Sequence, residues 1–164
     1  MLGKELILGL DPGLCRTGWG VLQPQSCSAA GLRCVEFGVI APPQAWPLEK
    51  RLVFLHQELT AVCTRYSCTV AVVEKTFVNS NAQSALSLGF ARAIAMMTSA
   101  LHGAKMVEYS PTTIKKSLTG HGHASKAQMI TMINLLLGTC VSLSDSADAL
   151  AAAWCYGMTL KGAG

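Results

Sequence analysis

Acidic residues are scarce in this chain: nine in 164 residues, of which three are aspartates, Asp11, Asp145 and Asp148. Charged residues of all kinds make up only 13% against 51% hydrophobic, which excludes a disordered or tail-like chain. Paired metal-binding cysteines are missing as well. The seven cysteines, Cys15, Cys27, Cys34, Cys63, Cys68, Cys140 and Cys155, are odd in number and form no CxxC, so neither a zinc site nor a disulfide framework is indicated. They read as reduced, small apolar fillers. Long apolar runs are also lacking. Arg92 interrupts the stretch after Phe90, and the Ala-rich stretch from Ala149 ends near Gly157, both short of the roughly 20 residues a bilayer span needs. Lys4 and Glu5 precede a short apolar run that leads into Asp11, which is not the layout of a signal peptide. The expectation is a soluble cytoplasmic protein with no membrane association and one domain over residues 1–164, without internal repeat or low-complexity tract.

What the chain does have is an ordered series of short elements. Leu6 to Leu10 is an apolar run stopped by Asp11-Pro12-Gly13. Gly18 to Leu22 and Leu32 to Ile40 read as two further strands of an antiparallel meander. Pro42, Pro43 and Pro47 mark a loop, after which Leu48, Leu52, Leu55, Leu59 and Val62 give helical spacing over 48–66. Thr69 to Glu74 is a β-branched run suited to a buried central strand. A helix over about 82–101, a short strand near 105–109, and helices over 112–118, 125–137 (with Ser125 as N-cap) and 144–158 complete the chain. Strands first, then alternation with helices, predicts an α/β domain with a mixed five-stranded sheet flanked by helices.

This topology lets the first strand and the Thr69 strand lie side by side and parallel, which brings Asp11 and Glu74 to one sheet edge. Asp145 and Asp148 are three apart on a helix and share a face. Clustered carboxylates repel unless a cation neutralises them, and hard oxygen ligands select Mg²⁺ or Mn²⁺. Two such ions can activate a water and stabilise the leaving oxygen of a phosphodiester. Each acid alone has a plainer reading: Asp145 as a helix-terminal acid, Asp11 as a turn residue, Glu74 as a solvated loop acid. The joint pattern in an acid-poor chain favours a divalent-metal pocket acting on a nucleic-acid backbone. The net charge of +4 suggests nucleic acid only weakly, but assigning four acids to a pocket leaves the remaining surface more basic.

The same residues carry a resemblance. Leu8-Gly9-Leu10-Asp11-Pro12-Gly13 with Thr17-Gly18, Val73-Glu74-Lys75 with Phe77, Asn81-Ala82-Gln83-Ser84-Ala85-Leu86, Gly89-Phe90-Ala91-Arg92, Gly120-His121-Gly122-His123-Ala124-Ser125-Lys126 and Asp145-Ser146-Ala147-Asp148-Ala149-Leu150-Ala151 resemble, in order, motifs of the RuvC family of bacterial Holliday-junction resolvases. They cover the chain from about residue 6 to about residue 157. The resemblance implies a ribonuclease H-like fold, a homodimer, two Mg²⁺ per active site (with Mn²⁺ as substitute), and symmetrical nicking of four-way DNA junctions. It also implies possible work alongside the RuvA/RuvB branch-migration helicase. Asp11, Glu74, Asp145 and Asp148 match the family's catalytic, metal-binding acids; Lys115 and Lys126 match basic residues beside the scissile backbone; Phe77 matches an aromatic near the junction centre. Leu14-Cys15 and the two histidines of the glycine loop depart from the family pattern and bear on fine specificity.

Physical reasoning bounds these roles. Lys115, Lys116 and Lys126 place cations in one connected segment, with Lys116 read as a solvated helix residue. Phe77, in a polar loop, either stacks on an unpaired base or folds onto the core. Arg92, on an apolar helix, either contacts DNA or pairs internally. His121 and His123 lack a third ligand and read as loop residues, and their segment lacks the GxxxxGK[ST] spacing of a phosphate loop. Ala91, Ala93 and Ala95 make the 82–101 helix a possible dimer face. Two other functions stay open at this point. One is a junction-binding module without catalysis; the other is an actin-like or sugar-kinase-like nucleotide domain, whose phosphate turn the Asp11-Pro12-Gly13 and Thr17-Gly18 segment also resembles.

Overall fold

The computed structural model describes residues 5–25, 31–75 and 81–162. Five strands form one sheet: β1 (Ile7–Asp11), β2 (Thr17–Pro24), β3 (Leu32–Ile40), β4 (Val70–Glu74) and β5 (Lys105–Tyr109), in the spatial order β3-β2-β1-β4-β5. The meander β1-β2-β3 is antiparallel, and β4 and β5 add to it in parallel, so the sheet is mixed as predicted. Helices α1 (Leu48–Tyr66), α2 (Ala82–Leu101), α3 (Pro111–Thr119), α4 (Lys126–Leu137) and α5 (Ser144–Gly162) cover it.

Alternation along the central strands divides the core into two layers. Ile7, Val70 and Val72 point toward α3, α4 and α5, in a cluster with Ile133, Leu150 and Trp154. Leu8, Leu10 and Ala71 point the other way, toward Leu55 and Leu59 of α1 and Ala91 and Ala95 of α2. Both faces of β1 and β4 are therefore dry, which is why their sequences are continuous apolar runs rather than alternating ones.

The centre of the fold is α5, whose residues from Ala149 to Cys155 are all buried. Two glycines let it lie this close. A Cβ on Gly9 of β1 would sit 1.8 Å from the Ala149 carbonyl oxygen, and one on Gly18 of β2 would sit 1.9 Å from that of Asp145. Both contacts are with backbone, which cannot rotate away. Farther along, a Cβ on Gly157 would meet Leu32 Cδ1 at 2.6 Å. The sequence places the end of this helix at Met158; the helix runs on to Gly162, and Gly157 packs inside it against β3.

α2 corrects two expectations. It runs unbroken through Arg92 for 20 residues and is, by length and composition alone, apolar enough to cross a membrane. Ala91 and Ala95, read as small residues for a partner, are wholly buried inside the fold, whereas Ala93 is exposed. The apolar stripe α2 presents outward is Leu86, Met97 and Leu101, with Leu101 71% exposed. Capping follows the sequence more closely. Ser125 accepts a hydrogen bond from the Gln128 amide while the Gln128 side chain accepts one from the Ser125 amide, a reciprocal N-terminal box. The described cysteines are all free; Cys63, Cys68 and Cys155 are buried fillers, and burial pushes the Cys68 thiol up to about 12. Cys15 and Cys140 are exposed instead.

Candidate active site

β1 and β4 run parallel in a register that pairs Leu10 with Val73. One step beyond that pair stand Asp11 and Glu74, the last residues of their strands. Parity then decides which way they face. Asp11 follows Ile7 and Gly9 at two-residue steps, and Glu74 follows Val70 and Val72, so both side chains lie on the α5 side of the sheet. The close approach at Gly18 sets the first turn of α5 over the same edge, bringing in Asp145 and Asp148.

The turn that carries Asp11 out of the strand is closed by its own motif. Buried Thr17 donates its hydroxyl to the Gly13 carbonyl at 2.8 Å and accepts from the Gly13 amide at 3.2 Å. A Cβ on Gly13 would lie 2.4 Å from the Arg16 carbonyl oxygen, so the turn leaves room for glycine only. Arg16, at the end of this turn, reaches Asp145 with its Nε 3.3 Å from Oδ2.

Electrostatics show that the four acids share one field. Burial, then Asp148, Asp145 and Glu74, push the Asp11 carboxyl up to about 7, while Lys126 pulls it down. Glu74 is raised by burial and then by Asp148, and is opposed by Lys115, Lys126 and Arg92. Asp148 is raised by burial and by Asp145, and is opposed by Lys126 and Lys115. Lys115 on α3 and Lys126 at the start of α4 thus border the carboxylates. Lys116 is exposed.

The donor set suits a hard divalent ion: four carboxylates, with Asp11, Asp145 and Asp148 half-buried and Glu74 exposed at its strand end, carrying more negative charge than the neighbouring lysines offset. In the conformation seen, no three His, Cys, Asp or Glu side chains among the described residues converge tightly enough to hold an ion. Coulomb interaction reaches farther than chelating distance, so the carboxylates influence one another without touching. An ion would have to draw them together and take Asp145 from Arg16.

Beside this edge, a cleft of about 450 Å³ opens between the Asp11 turn and α2, lined by Gly13, Cys15, Arg16, Gln83, Ser84 and Asp145 among others. Arg92 is not in it. Its guanidinium, with 16% of the side chain exposed, pairs internally, with Glu108 of β5 and the Glu74 carbonyl. His121 and His123 are exposed on the glycine loop, where a Cβ on Gly122 would lie 2.5 Å from Thr112 of α3. Phe77 lies outside the described residues. Sequence reasoning overlooked Arg16, Thr17 and Glu108 as individual residues. Thr17 alone left a signal, in the quoted Thr17-Gly18 motif.

Comparison with known proteins gives this geometry a family. Residues 7–156 match the family profile described as crossover junction endodeoxyribonuclease RuvC. Proteins of that name from Azorhizobium caulinodans and Xanthobacter autotrophicus are each 45% identical, over 92% and 90% of this chain and 88% and 86% of their own lengths. The structure of Thermus thermophilus RuvC in complex with Holliday junction substrate superposes with a TM-score of 0.87 at 26% identity, covering 97% of this chain and 96% of that one. The actin-like reading of the first turn gives way to this match: the chain belongs to the RuvC family of crossover junction endodeoxyribonucleases and has its ribonuclease H-like fold.

Proposed function

We propose that this protein resolves four-way DNA junctions by hydrolysing one phosphodiester in each of two opposed strands, with Asp11, Glu74, Asp145 and Asp148 as the ligands of two Mg²⁺ ions, Mn²⁺ serving as substitute. The observation that carries the reading is the shared field of the four acids: a carboxyl raised to about 7 by burial and by three other carboxylates is a site short of positive charge. When bound, divalent ions lower the pKa of an attacking water and offset charge on the leaving oxygen. The chain's own part is placement. β1 and β4 fix two carboxylates on a rigid edge, and α5 brings two more across it. Lys115 and Lys126 neutralise phosphates of the approaching strand, each contributing about one unit to the salt dependence of binding. Phe77 is assigned to the junction centre, where an aromatic ring stacks on an unpaired base.

A four-way junction has approximate two-fold symmetry, so two opposed cuts call for two copies related by a two-fold axis. The outward stripe of α2, Leu86, Met97 and Leu101, supports a homodimer through that helix. Residues 1–164 act in this reading as one nuclease domain in the cytoplasm, alongside the RuvA/RuvB branch-migration helicase.

The test is a synthetic mobile four-way junction and a matched linear duplex, each incubated with the protein plus Mg²⁺, Mn²⁺ or chelator and mapped on a denaturing gel. Paired symmetrical nicks on the junction alone, lost with chelator and with Asp11→Asn, are expected. Tight junction binding without cleavage across varied core sequences would leave a binding module and overturn the catalytic reading.

A further inference from the structure

Arg92 sits midway along α2, an otherwise apolar helix, yet its side chain is only 16% exposed. Its guanidinium spans two strands. Nη1 donates to the main-chain carbonyl of Glu74, the last residue of β4, at 2.5 Å, and Nη2 pairs with the carboxylate of Glu108 on β5. The neighbouring backbone continues the same tie: β4 and β5 pair Val73 with Glu108 and Glu74 with Tyr109, and the Lys75 amide donates to the Tyr109 carbonyl at 2.7 Å. Glu74 is the last residue of β4, and the arginine fork holds its carbonyl at that strand end.

We infer that Arg92 is a positioning residue: by clamping the Glu74 carbonyl to Glu108, it fixes the direction in which the Glu74 carboxylate enters the four-acid site. A guanidinium suits this task because its planar fork holds two oxygens in a fixed geometry, whereas an ammonium offers three freely rotating donors from a single point. Partners one step removed from a metal ligand orient it, and their loss costs about 10–100-fold in metal affinity or activity. The inference rests on the metal-site reading proposed above.

Mn²⁺ affinity, read from the EPR signal of free Mn²⁺ with the full-length protein and no DNA, separates the cases. Arg92→Gln is expected to weaken Mn²⁺ binding about tenfold or more. Arg92→Lys keeps the charge but loses the fork, and recovers only part of that. Added to Glu74→Gln, Arg92→Gln should cost less than about twofold more, since its effect passes through Glu74. Unchanged affinity in Arg92→Gln beside a weakened Glu74→Gln overturns the inference alone, as does full recovery by lysine. Unchanged affinity in Glu74→Gln overturns the metal-site reading and the inference with it. Intact Mn²⁺ affinity with weaker junction binding, and a salt slope lower by about one, makes Arg92 a DNA contact and also overturns it. Should Arg92→Gln fail to fold, Glu108→Gln carries the test: it is expected to weaken Mn²⁺ binding, and parental affinity there sinks the clamp.

Discussion

The two long helices on opposite faces of the sheet, α5 and α2, contrast sharply in what surrounds them. Ala149 to Cys155 of α5 are buried on every side, and backbone contacts at Gly9 and Gly18 fix its height above the strands. α2 buries only Ala91, Ala95, Thr98 and Ser99 and leaves Leu86, Met97 and Leu101 outward. Apolar composition is common to both, but in α5 it serves the fold and in α2 half of it is left for something else. The helix carrying two candidate ligands is the one the fold holds most tightly. That is the arrangement required where ligand placement must hold to within about half an ångström.

The largest effect is expected at the chemistry itself. Asp148→Asn should abolish junction cleavage, losing more than the roughly 100-fold that outer partners cost, while a gel-shift assay in chelator still shows junction binding. Loss of binding and folding together would make Asp148 structural instead.

Next comes the seat of α5. Gly18→Ala places a methyl into the Asp145 carbonyl, so the helix must move, and chemical denaturation should show a loss of about 3 kcal/mol or more together with weakened metal binding. A loss below about 1 kcal/mol would mean that α5 is not held at this height.

The buried edge also predicts a pH dependence without metal. Asp11 ionises near 3.8 ordinarily and near 7 in the folded chain, so between those values the folded state holds a proton that the unfolded state releases. Its contribution is full below about pH 4 and is lost as pH rises to about 7, a change of about 2–4 kcal/mol. Melting in chelator should therefore weaken across that window, and Asp11→Asn should flatten the slope. Divalent metal should restore stability at pH 7 and release protons on binding.

The smallest effect on folding belongs to the outward face of α2. Met97→Glu should leave the unfolding free energy within about 0.5 kcal/mol, yet shift light scattering at micromolar concentration from dimer to monomer. A dimer unchanged by substitutions at both Met97 and Leu101 would move the interface elsewhere.

Much of this was legible from residue order. The strand runs, the 48–66 helix, the Ser125 cap and the four acids at element ends all rest on local signals: periodicity, β-branching, turn residues. What could not be read locally concerns residues whose partners are distant in sequence. Gly9 and Gly18 look like ordinary strand glycines until the backbone of α5, more than 120 residues later, lies against them. Gly157 looks like an ordinary helix glycine until Leu32, far away in sequence, lies against it. Ala91 and Ala95 have the size for a partner helix but face the sheet, because the apolar surface of α2 is wide and composition does not say which side turns inward. Arg92 left two roles open, and its pairing with Glu108, on another strand, is visible only in the fold.

The sequence by itself therefore determined the elements, their order, the mixed sheet and the placing of four acids at element ends, since periodicity, β-branching and turn residues are local signals. Tertiary structure alone decided that strand parity turns Asp11 and Glu74 toward α5, that burial, and then the neighbouring carboxylates, raise Asp11 to about 7, and that Arg92 grips the Glu74 carbonyl. Those outcomes depend on distances through space, and burial and Coulomb interaction act only once the chain has closed on itself.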